Sequence, residues 1–494
     1  MKRVLVLAGA LLSLAILLAA PGAAEAPIPS VQPPIGPTFI GHVATAQPLP
    51  HLPVPQNPFL GRNGYDSMHN DAYSSNGDAV SGPLGRRLTV TSATYGVSEC
   101  ATIAFDSRGR IVGLCGGLQG FQLALIDPTT LHQIATLTTS TRDLTKLQNP
   151  FTDLCGGTYF YLDAHNRAWV VDTKKQILEV QVTTTGFRLL RTYDASRAMS
   201  ADDCMIATMP DWKGTIFFAT KQARVGAINP VTGVVKTMHF GTSAAPEQIE
   251  NSISGDETGG IYVVTDHRLA AVAANAAGRP VLRWQTPYDR GTVQKPGQLS
   301  QGTGTTPALI GRNLVAITDN ADPRMHVQFY YRTGPYAGRL ICQAPVFAPG
   351  QSDTENSLTV ADGTSVIVEN NYGYTGPTST ILGRTTAPGV AKVVLTAAHK
   401  CVVAWTNPVS APTSVPKISW GNGLVYVYSK AASSNPLDDD WYFTAISART
   451  GATVWKRLTG NGIPWNNHYA SIYVGPSGAA YISTLDGLLR LKDD

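Results

Sequence analysis

The chain has 494 residues, and its 47 glycines and 33 prolines argue against an architecture of long helices. Its 38 Lys and Arg residues nearly balance its 34 Asp and Glu residues, for a formal net charge of +4. This balance, with no cluster of basic residues, gives no electrostatic footprint for nucleic acid or for an anionic membrane surface.

The first 24 residues are typical of an export signal. Lys2 and Arg3 give a positively charged start, an apolar run extends from Val4 to Ala20, and small residues then lead to a cleavage point expected after Ala24. The run is short for a membrane span, which needs about 20 apolar residues, and no comparable run follows it. We therefore expect a soluble protein that is secreted or periplasmic, with no membrane span after processing.

Residues 25–60 form a proline-rich lead, with ten prolines between Pro27 and Pro58. Proline at this density supports neither a helix nor a sheet ladder, and it favours extended chain. We expect this segment to be a flexible lead or a strap across the surface. The remaining residues, 61–494, are expected to form a single domain.

After about residue 88, short β-branched and aromatic runs alternate with Gly, Asn, Asp and Pro, which is typical of strands joined by turns. From about residue 95, a polar leader residue precedes the first strand of each repeat. Eight leader residues recur at intervals of 47 to 62 residues, and each interval is long enough for a four-stranded propeller blade. They are Glu99, Asp153, Asp203, Glu250, Thr305, Glu355, Lys417 and His468.

The last repeat offers only three strands before the end of the chain, and residues 87–91 can supply the missing outer strand. Closing the ring in this way removes the last open sheet edge. The sequence therefore predicts an all-β fold, an eight-bladed β-propeller of four-stranded antiparallel blades closed by an N-terminal strand. An irregular β-sandwich is the alternative.

Six cysteines form an even set, and export would place them where disulfides persist. Cys342 and Cys401 flank adjacent repeats and lie apart from the other four, so we expect them to pair with each other. The remaining four allow three pairings, between which the sequence does not choose: Cys100, Cys115, Cys155 and Cys204.

One repeat ends in the segment TAISARTGATVW, residues 444–455, and weaker copies end at Trp284 and Trp405. This pattern resembles the tryptophan-docking repeat of the quinoprotein dehydrogenases, an eight-bladed propeller superfamily that uses pyrroloquinoline quinone (PQQ). The resemblance implies PQQ over a ring of two adjacent cysteines, a calcium ion and a catalytic Asp. The chain has no adjacent cysteine pair, so PQQ is not favoured. We expect the tryptophans to pack between neighbouring blades.

Leader residues of a propeller converge at one mouth of its central channel. Here that position collects carboxylates and amides, the ligands that Ca²⁺ prefers. The set is Glu99, Asp153, Asp203, Glu250, Asn251, Glu355 and Asn356. The sequence therefore predicts an acidic axial site with calcium as its cation. In the alternative, each side chain accepts backbone N–H bonds at a turn.

His468 is the only histidine among the leader residues, so it is the candidate general base, with Glu250 and Glu355 as catalytic carboxylates. His69 is a second candidate base, in a segment expected on the surface ahead of the propeller. Two functions stay open. One is a metal-dependent hydrolase or oxidoreductase of a small molecule, and the other is a non-catalytic propeller that binds a protein, a glycan or a small ligand.

Overall fold

The structure is a computed structural model that describes residues 25–145, 149 and 151–494. The predicted export signal, residues 1–24, lies outside this part of the chain. The described residues form an all-β fold with three short 3₁₀ helices at Ser196–Ala198, Pro377–Thr380 and Ile463–Trp465. Within the described ranges, no helix has the length and apolar character needed to cross a membrane.

Three strands precede the repeats: β1 (Phe39–Gly41), β2 (Gly77–Asp78) and β3 (Thr89–Thr94). Blade 1 contains β4 (Glu99–Phe105), β5 (Ile111–Gly117), β6 (Gly120–Ile126) and β7 (Gln133–Thr141). Blade 2 contains β8 (Phe160–Leu162), β9 (Arg167–Val171), β10 (Gln176–Val182) and β11 (Phe187–Asp194). Blade 3 contains β12 (Met205–Pro210), β13 (Ile216–Thr220), β14 (Arg224–Ile228) and β15 (Val235–His239). A ribbon of β16 (Gly241–Thr242) and β17 (Ala245–Pro246) follows.

Blade 4 contains β18 (Ser254–Gly255), β19 (Ile261–Val264), β20 (Arg268–Ala274) and β21 (Pro280–Pro287). Blade 5 contains β22 (Ala308–Ile310), β23 (Leu314–Thr318), β24 (His326–Tyr331) and β25 (Leu340–Pro345). Blade 6 contains β26 (Thr359–Asp362), β27 (Ser365–Glu369), β28 (Val390–Leu395) and β29 (Cys401–Asn407). Blade 7 contains β30 (Lys417–Ser419), β31 (Leu424–Ser429), β32 (Asp440–Ser447) and β33 (Thr453–Asn461). Blade 8 contains β34 (Ile472–Val474), β35 (Ala480–Thr484) and β36 (Gly487–Lys492), together with β3.

In each blade the strands pair in sequence order, and the first strand is the innermost. Blade 8 is completed by β3, which pairs antiparallel with β36 from Thr89 opposite Lys492 to Thr94 opposite Gly487. The eight four-stranded blades and the closing N-terminal strand predicted from the sequence are confirmed. The observed closing strand begins two residues later than the predicted one.

Burial explains why the strands differ in composition. Every residue of β13 and of β31 is buried, because neighbouring blades cover both faces of a middle strand, and both strands are accordingly almost wholly apolar or aromatic. The outer strand β29 instead alternates between half-buried and exposed positions, since one of its faces meets solvent. The apolar core therefore lies between the blades.

The tryptophans of the docking-like repeats join neighbouring blades, as predicted. The indole N–H of Trp284 in blade 4 donates to the carbonyl of Arg332 in blade 5, at 3.2 Å. Trp405 in blade 6 makes the same kind of bond to Ala448 in blade 7, also at 3.2 Å. Trp455 is fully buried. These large side chains cover apolar surface where one blade meets the next.

The proline-rich lead lies against blade 7. Its strand β1 pairs antiparallel with the outer strand β33, with Phe39 opposite Arg457. Farther along, the Gln47 amide donates to the Asn422 carbonyl at 2.9 Å, and Ala44 is buried. The lead therefore adds backbone hydrogen bonds to the outer strand of blade 7 and to the turn after β30, and the carbonyl of Ala26 accepts from the amide of Thr94 in blade 8 at 2.8 Å.

Residues 65–78, the axial segment, run through the middle of the ring. Their backbone carbonyls accept hydrogen bonds from the innermost strands of blades 4, 5, 6 and 7 in turn. The acceptors are Ala72, Tyr73, Ser75 and Asn76, and the donors are the amides of Gly255, Leu309, Val360 and Ile418. Strand β2 also pairs in parallel with β30. The segment thus closes the central channel and occupies the inner edges of the blades.

The expectation that His69 lies on a surface segment is therefore wrong. His69 belongs to the axial segment and is only 4% exposed. The physical reason is that the inner strands present backbone N–H groups toward the axis, and those groups need acceptors once they are buried.

Three disulfides involve all six cysteines. Cys342 in β25 bonds Cys401 in β29, the pairing expected from the sequence, and it joins the outer strands of blades 5 and 6. The other bonds are Cys100–Cys115 and Cys155–Cys204. The first lies within blade 1, and the second links the loops that lead into blades 2 and 3. Three disulfides are typical of proteins in an oxidising compartment.

Candidate functional site

A cavity of about 240 Å³ lies at one mouth of the closed channel, and we call it the mouth cavity. Met68 and His69 of the axial segment form part of its inner wall, and the exposed side chains of Val97 and Leu118 stand at its rim. Six of the residues predicted for the site line it. They are Glu99, Asp153, Glu250, Glu355, Asn356 and His468. The structure brings most of the predicted set to one place.

Two predicted residues, Asp203 and Asn251, are not among those that line the mouth cavity. One carboxylate oxygen of Asp203 accepts the backbone N–H groups of Cys204 at 2.9 Å and Gln222 at 3.0 Å. The amide of Asn251 donates to the carbonyl of Thr303 at 3.4 Å. Asp203 therefore accepts backbone N–H groups, as in the alternative turn role, whereas Asn251 links its loop to the segment that leads into blade 5.

The wall of the mouth cavity is predominantly apolar. Its apolar residues include Phe121, Phe151, Leu118, Leu154, Leu299 and Leu485. Arg142 is held among them, with its guanidinium 4.6 Å from the centre of the Phe121 ring and its Nε 3.3 Å from Oδ2 of Asp153. This arrangement stacks a cation on an aromatic face while it pairs with a carboxylate.

Glu250 has one partnered and one unpartnered carboxylate oxygen in the cavity. Its side chain is only 5% exposed, and its Oε1 lies 3.1 Å from Nζ of Lys221. Its Oε2 is buried without a hydrogen-bond partner among the described residues, and so is Oε1 of Glu99. A buried carboxylate oxygen without a donor is costly, so these atoms mark places where a bound molecule would add hydrogen bonds.

Burial favours the protonated form of the three glutamates of the cavity. Burial raises the pKa of Glu99 and of Glu355 well above the ordinary value, and it raises the pKa of Glu250 as well. Repulsion from Glu250 adds to the effect on the pKa of Glu355. The backbone N–H of Leu299 donates to Oε2 of Glu355 at 3.1 Å and works in the opposite direction. Burial is the first cause, and repulsion between the acids is secondary.

His468 has both ring nitrogens engaged. Its Nε2 lies 2.8 Å from the carbonyl oxygen of Phe151, which can only accept, so this nitrogen carries the proton. Its Nδ1, 2.9 Å from the hydroxyl of Tyr374, then accepts a hydrogen bond from that group. Burial lowers the pKa of His468 to about 4. In this arrangement the imidazole is neutral, and it has no free lone pair with which to abstract a proton.

His69 is likewise neutral and bonded on both sides. Its Nδ1 lies 3.2 Å from Oδ1 of Asn76, and its Nε2 lies 3.2 Å from the hydroxyl of Thr306. Burial, together with the nearby charge of Lys417, lowers its pKa to about 3. The hydroxyl of Ser357 is farther away, 3.5 Å from Nε2. His69 therefore serves to connect the axial segment to the blades.

Three of the predicted calcium ligands, Glu250, Asp153 and Asn356, have protein partners. Glu250 and Asp153 face Lys221 and Arg142, and the amide of Asn356 donates to Glu369 at 2.7 Å. Across the described residues, no three His, Cys, Asp or Glu side chains are grouped so that they could hold a metal ion. The calcium site therefore stays a prediction, and we build no chemistry on that ion.

Several residues of the site carried no motif in the sequence. Phe121 and Arg142 come from blade 1 and the loop after it, and Tyr159 precedes blade 2. Tyr469 directly follows the predicted residue His468 in the chain. The others are ordinary aromatic and basic residues, and the ring of blades alone brings them together.

The chain was compared with known proteins, and no family model matches it. It is 29% identical over 309 residues to a protein of Archaeoglobus fulgidus described as uncharacterized. That match covers 57% of this chain and 59% of the relative, so the chain matches less than two thirds of the relative's length.

Two solved structures are similar at low levels. One is a streptogramin B lyase, with a TM-score of 0.42 and 7% identity over 82% of this chain and 97% of the other. The second is the WD40 β-propeller domain of Doa1, with a TM-score of 0.39 and 11% identity over 66% of this chain and 88% of the other. The function of this eight-bladed propeller therefore has to be argued from its own mouth cavity.

Proposed function

We propose that this protein binds a small, largely apolar molecule with hydrogen-bonding groups in the mouth cavity. The observation that carries the proposal is Glu250: its Oε2 is buried and unpartnered among the described residues, in a predominantly apolar cavity. Ligand sites typically combine an apolar wall with a few well-placed polar groups.

The shape of the channel supports binding over passage. Because the axial segment closes the channel behind Met68 and His69, a molecule enters and leaves the mouth cavity by the same opening. The cavity volume of about 240 Å³ suits a molecule of one to three aromatic rings.

A second candidate is an enzyme that hydrolyses a small molecule with a buried carboxylic acid as its general acid. The observation in its favour is the strong burial of Glu355, which raises its pKa well above the ordinary value, beside a second carboxyl at Glu250. Two carboxyl groups in different environments are the usual source of an acid and base pair. Against it, the nitrogens of His69 and His468 are already bonded.

We place the protein outside the cytoplasm, in a secreted or periplasmic location, and regard it as quinoprotein-like in architecture. Three disulfides and the predicted export signal support the location. Trp284 and Trp405, which dock on neighbouring blades, support the architecture. No PQQ chemistry is proposed, since the adjacent cysteines that would hold that cofactor do not occur.

The test uses N-phenyl-1-naphthylamine, a neutral apolar dye whose fluorescence rises in an apolar site. We expect the wild type to bind it, and Ala101→Phe to weaken binding about tenfold or more, because the added ring fills a cavity that Ala101 lines. The matched control is Ala431→Phe at an exposed loop position, which should bind like wild type. Equal binding by wild type and Ala101→Phe would contradict the proposal. Turnover of small esters that is lost in Glu355→Gln would favour the enzyme.

A further inference from the structure

We propose that the polar end of the ligand is a positively charged amine, received by Glu250 and the carboxyl groups around it. This inference rests on the proposed function and specifies its ligand class: an organic cation with an apolar or aromatic body. It is carried by the unpartnered Glu250 oxygen, the charge balance of the cavity and its aromatic walls.

The unpartnered carboxyl oxygens of the mouth cavity favour a donor. In the ionised form that a bound cation stabilises, a carboxylate oxygen only accepts hydrogen bonds, so Oε2 of Glu250 and Oε1 of Glu99 then both require a donor. An ammonium group presents several N–H donors at one point and no acceptor. A ligand that ends in a carboxylate or a phosphate would instead place a second acceptor against them.

The charged side chains that line the mouth cavity are mostly acidic. Four carboxyl groups line the mouth cavity, at Glu99, Asp153, Glu250 and Glu355, whereas Arg142 is the cation among the lining residues. Arg142 is already bound to Asp153 and to the carbonyl of Gly117, at 2.8 Å. Lys221, the partner of Glu250, has a side chain that is 41% exposed. In their ionised forms the acids therefore exceed the cations that could neutralise them, and a ligand cation would offset the excess negative charge.

The walls of the mouth cavity are partly aromatic. Aromatic side chains line the cavity beside these acids, and the face of an aromatic ring attracts a cation. They are Phe121, Phe151, Tyr159 and Tyr469. The protein already uses this interaction once, since the guanidinium of Arg142 lies 4.6 Å from the centre of the Phe121 ring. An alkylammonium ligand would find both a carboxylate and aromatic surface in one cavity.

Binding of a cation is coupled to the ionisation of Glu250 and Glu355. A cation near Glu250 and Glu355 stabilises their ionised forms and lowers their pKa values, which burial has raised. Binding then releases protons, so affinity rises with pH above the ordinary glutamate range until these groups are ionised in the free protein.

Other charged or titratable groups surround these two acids. Lys221, Asp153 and Asp266 act on Glu250, and Asp353 acts on Glu355. Tyr159 and Tyr469, whose pKa values are raised, and the neutral His69 and His468 complete the surroundings. Lys221 and Arg142 both oppose a ligand cation, but Arg142 is paired with Asp153 and the Lys221 side chain is 41% exposed.

The experiment titrates the full chain calorimetrically with three probes that share one body: 3-phenylpropylamine, 3-phenylpropanol and 3-phenylpropionate. We expect the amine to bind about tenfold tighter than the alcohol and the propionate to bind weakest, with amine affinity rising between pH 6 and pH 8. Glu250→Gln should lower the affinity for the amine about tenfold and leave that for the alcohol unchanged. Asp202→Asn, which removes a charge at an exposed position, is the matched control and should behave as wild type.

Each failure has a distinct meaning. If the alcohol binds as tightly as the amine, and Ala101→Phe weakens both, the cavity binds ligands but the inference of a cation is overturned. If none of the three probes binds while the naphthylamine dye does, the inference is also overturned. If Ala101→Phe leaves dye binding unchanged, the proposed function itself fails.

Discussion

The axial segment and the mouth cavity are both buried and polar, yet they treat their polar groups differently. In the axial segment the protein supplies the partners: Asp71 accepts the hydroxyl of Ser75 at 2.5 Å, and Asn70 donates to Asp78 at 3.0 Å. In the mouth cavity, Oε2 of Glu250 has no partner in the described structure. The hydrogen bonds of the axial segment stabilise the fold, whereas the unpartnered oxygens of the mouth cavity lie where we propose that a ligand binds.

Lys417 shows how complete the axial network is. This leader residue is fully buried, and its ammonium donates to the side chains of Asn70 and Asn76 and to the carbonyl of Met68. Burial lowers its pKa to about 7, and the attraction of Asp78 and Asp71 opposes that change. Two axial atoms do lack partners, Oδ2 of Asp66 and Oγ of Ser74, but neither residue lines the mouth cavity.

The largest expected effect comes from breaking the axial network. Lys417→Met keeps the volume of the side chain but leaves the Asn70, Asn76 and Met68 oxygens without their donor. We expect a loss of about 3–5 kcal/mol in the free energy of unfolding, measured by urea denaturation. Lys400→Met, at an exposed position, should change it by less than about 0.5 kcal/mol. A loss below about 1 kcal/mol for Lys417→Met would contradict the structural role of the network.

Removal of either of two disulfides should lower stability by a similar amount, but only one of them should affect dye binding. Replacing either Cys342 and Cys401 or Cys155 and Cys204 by serine should cost about 2–4 kcal/mol of unfolding free energy, because each bond closes a long loop. Only the second pair should also weaken dye binding, since Leu154 of the mouth cavity adjoins Cys155. Fluorescence titration of both variants checks this prediction. Equal dye binding by the two variants would contradict this prediction.

A smaller effect concerns pH. Because the folded state raises the pKa of Glu355, the folded protein binds this proton more tightly than the unfolded chain does. The unfolding free energy of wild type should therefore fall as pH rises from the ordinary glutamate range through the raised pKa. Glu355→Gln has no carboxyl to ionise at this position. The unfolding free energy of the variant minus that of wild type should therefore rise by at least about 1 kcal/mol from pH 5 to pH 8. Asp202→Asn should keep the wild-type slope, and a Glu355→Gln slope identical to that of wild type would argue against a buried carboxyl.

The smallest expected effect is that of calcium. Since Glu250 and Asp153 already face Lys221 and Arg142, millimolar calcium should shift the melting temperature by less than about 1 °C. Thermal melting with calcium and with a chelator measures this. A rise of several degrees in the melting temperature that disappears in the double variant Glu250→Gln, Glu355→Gln would support the calcium site that the sequence predicted.

The sequence predicted the blades because their signals are local. Strand-length apolar runs recur with the leader residues, and closure by residues near Thr89 follows from counting strands. The convergence of Glu250 and Glu355 at one mouth follows from the symmetry of a ring.

The axial segment could not be predicted in the same way. Residues 65–78 have no repeat period, and Asn76 finds its backbone partner at Ile418, far along the chain. The ion pairs that occupy the acids were hidden for a similar reason. Lys221 and Arg142 come from loops without a motif, so the sequence showed the carboxylates but not the cations beside them.

The most direct test of the contrast between the two regions is a crystal structure of the full chain grown with 3-phenylpropylamine at pH 8. We expect the probe in the mouth cavity, with its nitrogen about 3 Å from Oε2 of Glu250 and with residues 65–78 unchanged. An empty mouth cavity at a saturating probe concentration, or a probe bound to the outer surface of the blades, would contradict the assignment of the mouth as the binding site.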